Sequence, residues 1–112
     1  MIYNDLNNSS IDVANIIGVR PSQVSLELVK QYLSIEKDYT KQDILLNMCI
    51  VSSIDYVCKY SGKTIEELDK YIYMTIPILM IICNSYENNG VIAKDNNIII
   101  DKYLNLISDI NI

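Results

Sequence analysis

The chain has 112 residues, of which 50% are hydrophobic and 21% are charged, and its formal net charge at pH 7 is −5. This length suits one domain that buries roughly two-thirds of the surface its unfolded chain would expose. The acidic balance argues against electrostatic capture of nucleic acid or anionic lipid. The chain contains no His, so the commonest general base and a common metal ligand are both missing. Nothing in the composition points to chemistry.

The three cysteines form neither a disulfide motif nor a zinc motif. Cys49 and Cys58 would lie about 13 Å apart along one helix, which is too far for a disulfide. The chain has no CxxC pair, so zinc is not expected. The N-terminus is unlike a signal peptide, and the longest apolar run, 76–83, is too short to span a bilayer. We expect reduced thiols, no metal, no cofactor and a soluble protein without a membrane partner.

The first third of the chain predicts two short helices joined by a turn. A helix over 11–17 would end at Gly18, which suits a helix C-terminus. The turn at 20–22 contains a proline, which disfavours helix in the residue before it. The second short helix is predicted over 25–34, where leucine and valine recur at helical spacing.

A long helix is predicted next, from a capping-box-like pair, Thr40 and Asp43, to about Tyr60, with Gly62 as a left-handed cap. Its apolar residues occupy two sides. One side carries Ile44, Met48 and Val51, and the other carries Leu46, Ile50, Ile54 and Val57. A helix that is apolar nearly all round is contacted on more than one side. It is therefore either the central helix of a tight bundle or a helix partly covered by a neighbouring subunit, with Leu46, Ile50 and Ile54 as the candidate inter-subunit contacts.

The remainder of the chain is also helical. Thr64 and Glu67 form a complete capping box that begins a fourth helix. We expect a break near 73–77, because an interior proline costs a helix about 3 kcal/mol. An apolar helix then continues to about Asn88 and stops at the following Asn-Gly pair.

Asn97 could cap a last amphipathic helix over 98–108. The sequence therefore predicts an all-α bundle of about five helices with a long central helix. We divide it into an N-terminal extension (1–24), a helical core (25–97) and a C-terminal helix and tail (98–112).

No catalytic site is predicted. Glu66, Glu67 and Asp69 are close in sequence, but acidic residues in a first turn simply complement the helix dipole. Asp55 is better read as a solvated or inter-subunit ion-pairing residue than as a catalytic one. The glycines lie at helix ends and form no phosphate loop. We predict no enzyme and assign no catalytic, cofactor-binding or metal residues.

The segment Ile11–Leu33 resembles the helix-turn-helix of bacterial repressors, with 22–30 as the recognition helix. Its two acidic and two basic residues cancel, whereas DNA affinity depends largely on neutralising phosphates with Lys and Arg. A small DNA-binding regulator is therefore the alternative interpretation.

A second resemblance covers Val24–Asn89. It combines a short helix that ends in Tyr-Leu-x-Ile (32–35), an acidic turn (36–38), a long helix that ends in Tyr-x-Gly (60–62), and an apolar helix that ends in Tyr-Glu-Asn (86–88). In this order and spacing, the motifs resemble the small head–tail connector (adaptor) proteins of tailed bacteriophages. The chain departs from the family pattern at Asn89, where a basic residue is usual, and in the segment 1–24, which precedes the helix predicted over 25–34.

The resemblance implies a structural protein made in the bacterial cytoplasm that forms a dodecameric ring beneath the portal, at the head–tail interface of the virion. Its partners would be further copies of itself, the portal protein and the next head-completion or tail protein, with DNA only as cargo passing through the channel. By position, the portal contact would involve Tyr103, Leu104, Ile107, Ile110 and Ile112, unless this helix simply closes the bundle. The N-terminal extension would instead contact a neighbouring subunit through Val13, Ile16 and Ile17.

Overall fold

A computed structural model of the chain describes residues 18–111, with side-chain surroundings given for 18–107. This part of the chain contains α-helices and no β-strand, which confirms the predicted all-α class. The α-helices are α1 (Leu26–Tyr32), α2 (Asp43–Ser61), α3 (Ile65–Leu68), α4 (Thr75–Glu87) and α5 (Asn96–Asn111). Short 3-10 turns at Pro21–Gln23 and Ile72–Met74 precede α1 and α4. The helix predicted over 11–17 lies outside the described residues.

Three of the predicted helix ends are confirmed by their hydrogen bonds and backbone angles. The Ser25 hydroxyl accepts from the Leu28 N–H at 3.2 Å and caps α1. At the start of α3, the Thr64 hydroxyl accepts from the Glu67 N–H at 3.2 Å, and the Thr64 N–H donates to the Glu67 carboxylate at 2.9 Å. Gly62 ends α2 with φ of 72°, a left-handed conformation that costs glycine little.

The predicted capping box at the start of the long helix is wrong. Gln42 occupies the N-cap position of α2, and no side chain caps the helix there. The Asp43 carboxylate, which the sequence assigned to the cap, instead lies 2.7 Å from the Lys30 ammonium of α1. Asp43 therefore contacts Lys30 of α1 and does not take part in a capping box with Thr40.

The helix boundaries near Pro77 and Asn97 also differ from the prediction. The break falls earlier than expected, because α3 ends at Leu68 and α4 begins only at Thr75. Pro77 is thus in the first turn of α4, where its missing N–H removes no hydrogen bond from the helix. Asn97 does not cap α5, because the helix already begins at Asn96. The side-chain oxygen of Asn97 instead accepts a hydrogen bond from the Tyr56 hydroxyl.

The long helix α2 is the centre of the bundle, since it contacts each of the other four described helices. The core between them is aliphatic, and α4 contributes more buried residues to it than any other described helix. Fully buried aliphatic side chains include Leu46, Val57, Leu68, Ile78, Ile81, Ile82 and Ile100. The Thr75 hydroxyl, also fully buried, donates to the Val19 carbonyl at 2.6 Å and holds the segment before α1 against α4.

Candidate interaction surfaces

The residues predicted to contact a neighbouring subunit from the long helix lie mostly inside the subunit. Leu46 is fully buried, Ile50 is buried and Ile54 is half-buried, all against the core of the same chain. Leu46 and Ile50 therefore have little surface left for a second subunit. The other three residues of that prediction, Val13, Ile16 and Ile17, lie outside the described residues.

The opposite side of α2 is uncovered. Ile44, Met48 and Val51 are exposed by 79%, 62% and 69% of their surface, the three largest values along this helix among its large hydrophobic residues. Their spacing of four and three residues places them on one face of the helix, and that face points away from the buried Leu46 and Val57. We call Ile44, Met48 and Val51 the outward face.

The outward face has polar residues at its borders. Met48 and Val51 line a shallow groove together with Asn47, Ser52 and Asp55. The Asp55 carboxylate is solvent-exposed and lies 3.0 Å from the Lys59 ammonium one turn further along the helix. Asp55 is thus a solvated, ion-paired residue, as the sequence predicted.

The predicted portal contact falls on α5, whose inner side packs into the core. Ile107 is buried, while Tyr103 and Leu104 are half-buried against the same cluster. Of the other two predicted residues, Ile110 lies within α5 beyond the described side chains, and Ile112 lies outside the described residues. Among the described large hydrophobic side chains of this helix, solvent reaches Ile98 and Leu106 most. Ile107 therefore helps to close the bundle, whatever else the helix does.

Two tyrosines of α2 form a polar seam with α5. The rings of Tyr56 and Tyr60 are nearly parallel, with centroids 6.3 Å apart. The Tyr60 hydroxyl lies 3.0 Å from both carboxylate oxygens of Asp101, to which it donates. This hydrogen bond raises the pKa of Tyr60 above its ordinary value, because it favours the protonated phenol. The seam joins α5 to the second half of α2.

Lys30 is a buried charge that the sequence analysis did not single out. Only 5% of its surface is exposed. Its ammonium donates to the carbonyls of Lys37 at 3.1 Å and Tyr39 at 2.7 Å, and it lies 2.7 Å from Asp43 Oδ1. These contacts tie the connection between α1 and α2 to both helices. Burial of a lysine on this scale is compatible with folding because the charge is paired.

The same contacts bear on the helix-turn-helix interpretation. The proposed recognition helix 22–30 is interrupted, since a 3-10 turn ends at Gln23 and α1 begins at Leu26. Lys30 is engaged inside the subunit, and the Arg20 guanidinium donates to the Asp69 carbonyl at 2.6 Å. Both cations of this segment therefore have internal partners.

The acidic residues near α3 have structural partners as well. Asp69 accepts from the backbone N–H and the hydroxyl of Ser22, at 2.8 and 2.5 Å, so it joins the first 3-10 turn to the end of α3. The hydrogen bond from the Thr64 backbone lowers the pKa of Glu67 below its ordinary value. Glu66 is exposed, within the first turn of α3. Asp69 was predicted only to complement the helix dipole, and in the structure it contacts Ser22, which is distant in the sequence.

The cysteines show no sign of activation. All three are free; Cys49 is buried, and Cys58 and Cys83 are half-buried. Burial raises the pKa of Cys58 and of Cys83 above the ordinary thiol value, which disfavours the nucleophilic thiolate. Among the described residues, no group of His, Cys, Asp and Glu side chains is arranged to hold a metal ion. None of the described helices is both long and apolar enough to cross a membrane.

Comparison of the chain with protein-family models, with curated proteins and with solved structures finds no match.

Proposed function

We propose that this chain is a structural subunit of a phage head–tail connector, which forms a ring beneath the portal and joins the capsid to the tail. The observation that carries the proposal is the outward face of α2. A small, well-packed all-α domain leaves three large apolar side chains uncovered on its longest helix. Exposed apolar surface of this kind is typical of sites where another protein binds.

The motifs behind the connector resemblance fall at helix ends in the structure. Tyr32 ends α1, the acidic turn 36–38 lies in the connection to α2, and 60–62 spans the end of α2 and its glycine cap. The Tyr-Glu-Asn motif at 86–88 ends α4. Residues at helix ends set the lengths of helices and the directions of connections, so these motifs are placed where they would specify the shape of a subunit.

The charge of the chain supports the same role. The net charge of −5 disfavours retention of DNA, whereas a channel must let DNA slide through it. The DNA-binding alternative would need free cations within 11–33, and the two cations of that segment, Arg20 and Lys30, are both engaged by groups of the same chain. These internal contacts favour the connector interpretation over the DNA-binding one.

The test is co-sedimentation of the purified chain with its cognate portal ring at physiological salt. We expect binding that saturates near one chain per portal subunit. A chain truncated after Ile107 lacks the last two predicted portal-contact residues, and we expect it to bind the portal about tenfold or more weakly. Val91→Glu, a change at an exposed residue in the connection between α4 and α5, is the matched control and should bind normally.

Failure of the wild-type chain to co-sediment would contradict the connector proposal. Duplex DNA binding that falls steeply with salt, and that Arg20→Ala weakens, would favour the regulator instead.

A further inference from the structure

We propose that the outward face of α2 binds the same face of a second copy of this chain, with the two helices antiparallel about a two-fold axis near Met48. The inference concerns the free protein and does not rest on the portal. In such a contact each residue meets a partner across the axis, and the partner residue repeats the contact in the other direction. The occupant of the face is therefore this chain itself.

The apolar part of the face suits a pairing centred on Met48. Ile44 lies four residues before Met48 and Val51 lies three residues after it. An antiparallel partner centred at the same point brings Ile44 of one copy close to Val51 of the other, on both sides of Met48. All three side chains are more than half exposed in the single chain, so their burial would be new apolar contact.

The charges at the ends of the face select the antiparallel orientation. Lys41 lies seven residues before Met48, in the turn immediately before α2, and Asp55 lies seven residues after Met48, about 10 Å further along the helix. An antiparallel pair brings Lys41 of each copy towards Asp55 of the other. A parallel pair would bring the two lysines together and the two aspartates together, and like charges across an interface are unfavourable.

Within the single chain, Lys41 and Asp55 do not pair with each other. The stretch of α2 from Asp43 to Asp55 alone spans about 18 Å, so Lys41, which precedes it, is far beyond the reach of an ion pair with Asp55. Lys41 is exposed and makes no ion pair with any residue in the described part of the chain. Asp55 has only Lys59 on its own helix, and that pair is solvent-exposed. Pairing between copies would therefore bring Lys41 towards a carboxylate that has only an exposed ion pair within its own chain.

The size of the face sets the strength of the contact. Three side chains with their polar borders cover much less than the roughly 800 Å² per partner of a standard interface. We expect a dissociation constant in the range of about 10 µM to 1 mM. A two-fold contact also closes on itself, so a head-to-tail ring could use this face only after the pair had opened.

The experiment is sedimentation equilibrium of the free full-length chain, from micromolar concentrations up to about 2 mM, twice the weakest dissociation constant expected. We expect a monomer–dimer equilibrium. Met48→Glu places two carboxylates opposite each other at the axis, and we expect it to raise the dissociation constant about tenfold or more. Val91→Glu introduces the same charge at a residue of equal exposure, 63% against 62%, and should leave the equilibrium unchanged. Circular dichroism checks that both variants are folded.

The orientation is tested by charge exchange at the two ends. Lys41→Asp alone and Asp55→Lys alone should each weaken the dimer, because each brings like charges together across the axis. The double variant should restore it, and within one chain the two residues are too far apart for this rescue. A chain that stays monomeric at every concentration, or a dimer that Met48→Glu leaves intact, would overturn the proposal. A dimer that the double variant does not restore would overturn the antiparallel orientation. The portal experiment can fail or succeed independently of all these results.

Discussion

The buried ammonium of Lys30 leads to a quantitative prediction about stability. It has three oxygen partners: Asp43 Oδ1 and the Tyr39 carbonyl at 2.7 Å, and the Lys37 carbonyl at 3.1 Å. A hydrogen bond to a charged group contributes about 1.5–3 kcal/mol to stability. Lys30→Met keeps most of the apolar stem but removes all three contacts and leaves the Asp43 carboxylate without its cation.

We expect Lys30→Met to lower the free energy of unfolding by about 2–3 kcal/mol. Breaking a fully buried pair costs about 3–5 kcal/mol, and the loss here is near the low end of that range, because Asp43 Oδ1 is buried whereas the Asp43 side chain as a whole is 27% exposed. For a domain of this size, the change corresponds to a fall in melting temperature of about 10–20 °C. Urea and thermal unfolding followed by circular dichroism measure both quantities.

Lys59→Met is the matched control, because it removes a lysine whose ion pair with Asp55 is solvent-exposed. An exposed pair spaced four residues apart on a helix contributes about 0.3–0.5 kcal/mol, so this variant should be almost as stable as the wild type. Equal and small losses in the two variants would refute the reasoning that burial makes the Lys30 contacts important. A second check is Lys30→Met with Asp43→Leu, which removes the orphaned carboxylate and should recover part of the loss.

Three further predictions concern local features. Ser34 has φ of 61°, so Ser34→Gly should raise the free energy of unfolding by up to about 1 kcal/mol, whereas Ser52→Gly within α2 should lower it by about 0.5–1 kcal/mol. The folded-state pKa of Glu67 is lowered, so Glu67 contributes its full stabilisation above the unfolded pKa near 4.5 and loses it as pH falls through the folded pKa. Glu67→Gln should therefore reduce the loss of stability in acid. Urea unfolding at several pH values measures this loss. The folded-state pKa of Tyr60 is raised, so the contribution of Tyr60 to stability is present below pH 10 and is lost as pH rises through the folded pKa. Asp101→Asn should return this pKa towards 10. The titration is followed by the absorbance of the Tyr60 tyrosinate, which is the signal that Tyr60→Phe removes.

Local chemistry was predictable from the sequence, whereas contacts between distant residues were not. Gly62 and the pair Thr64 and Glu67 behave as predicted because their partners lie within four residues. Asp43 looked like a capping residue, but its carboxylate lies beside Lys30, thirteen residues earlier in the chain. Asn97 likewise looked like a cap and instead accepts from Tyr56. Short polar side chains have several possible partners, and tertiary packing decides among them.

The position of the outward face was also not predictable from the hydrophobic pattern alone. Two sides of α2 are apolar, and periodicity alone does not say which side faces the core. The buried side is set by the packing of α4, whose length and apolar surface require a broad partner. One signal in the sequence does separate the two sides: Asp55 continues the row of Met48 and Val51, whereas no charge interrupts the row from Leu46 to Val57. A charge within an apolar row marks the side that stays in contact with water.

Pairing through the outward face of α2 would explain why a small acidic domain keeps three large apolar side chains exposed. Ile44 and Val51 add nothing to the folded subunit that smaller polar residues could not supply, since each remains more than two-thirds exposed. Large exposed apolar side chains increase the risk of aggregation, so the free chain would gain from covering them. Weak pairing of α2 with α2 would do this and still release the face when a stronger contact is offered. Dimerisation of the free chain and head-to-tail assembly into a ring would then be competing uses of one surface, and the dimer should dissociate as the ring forms.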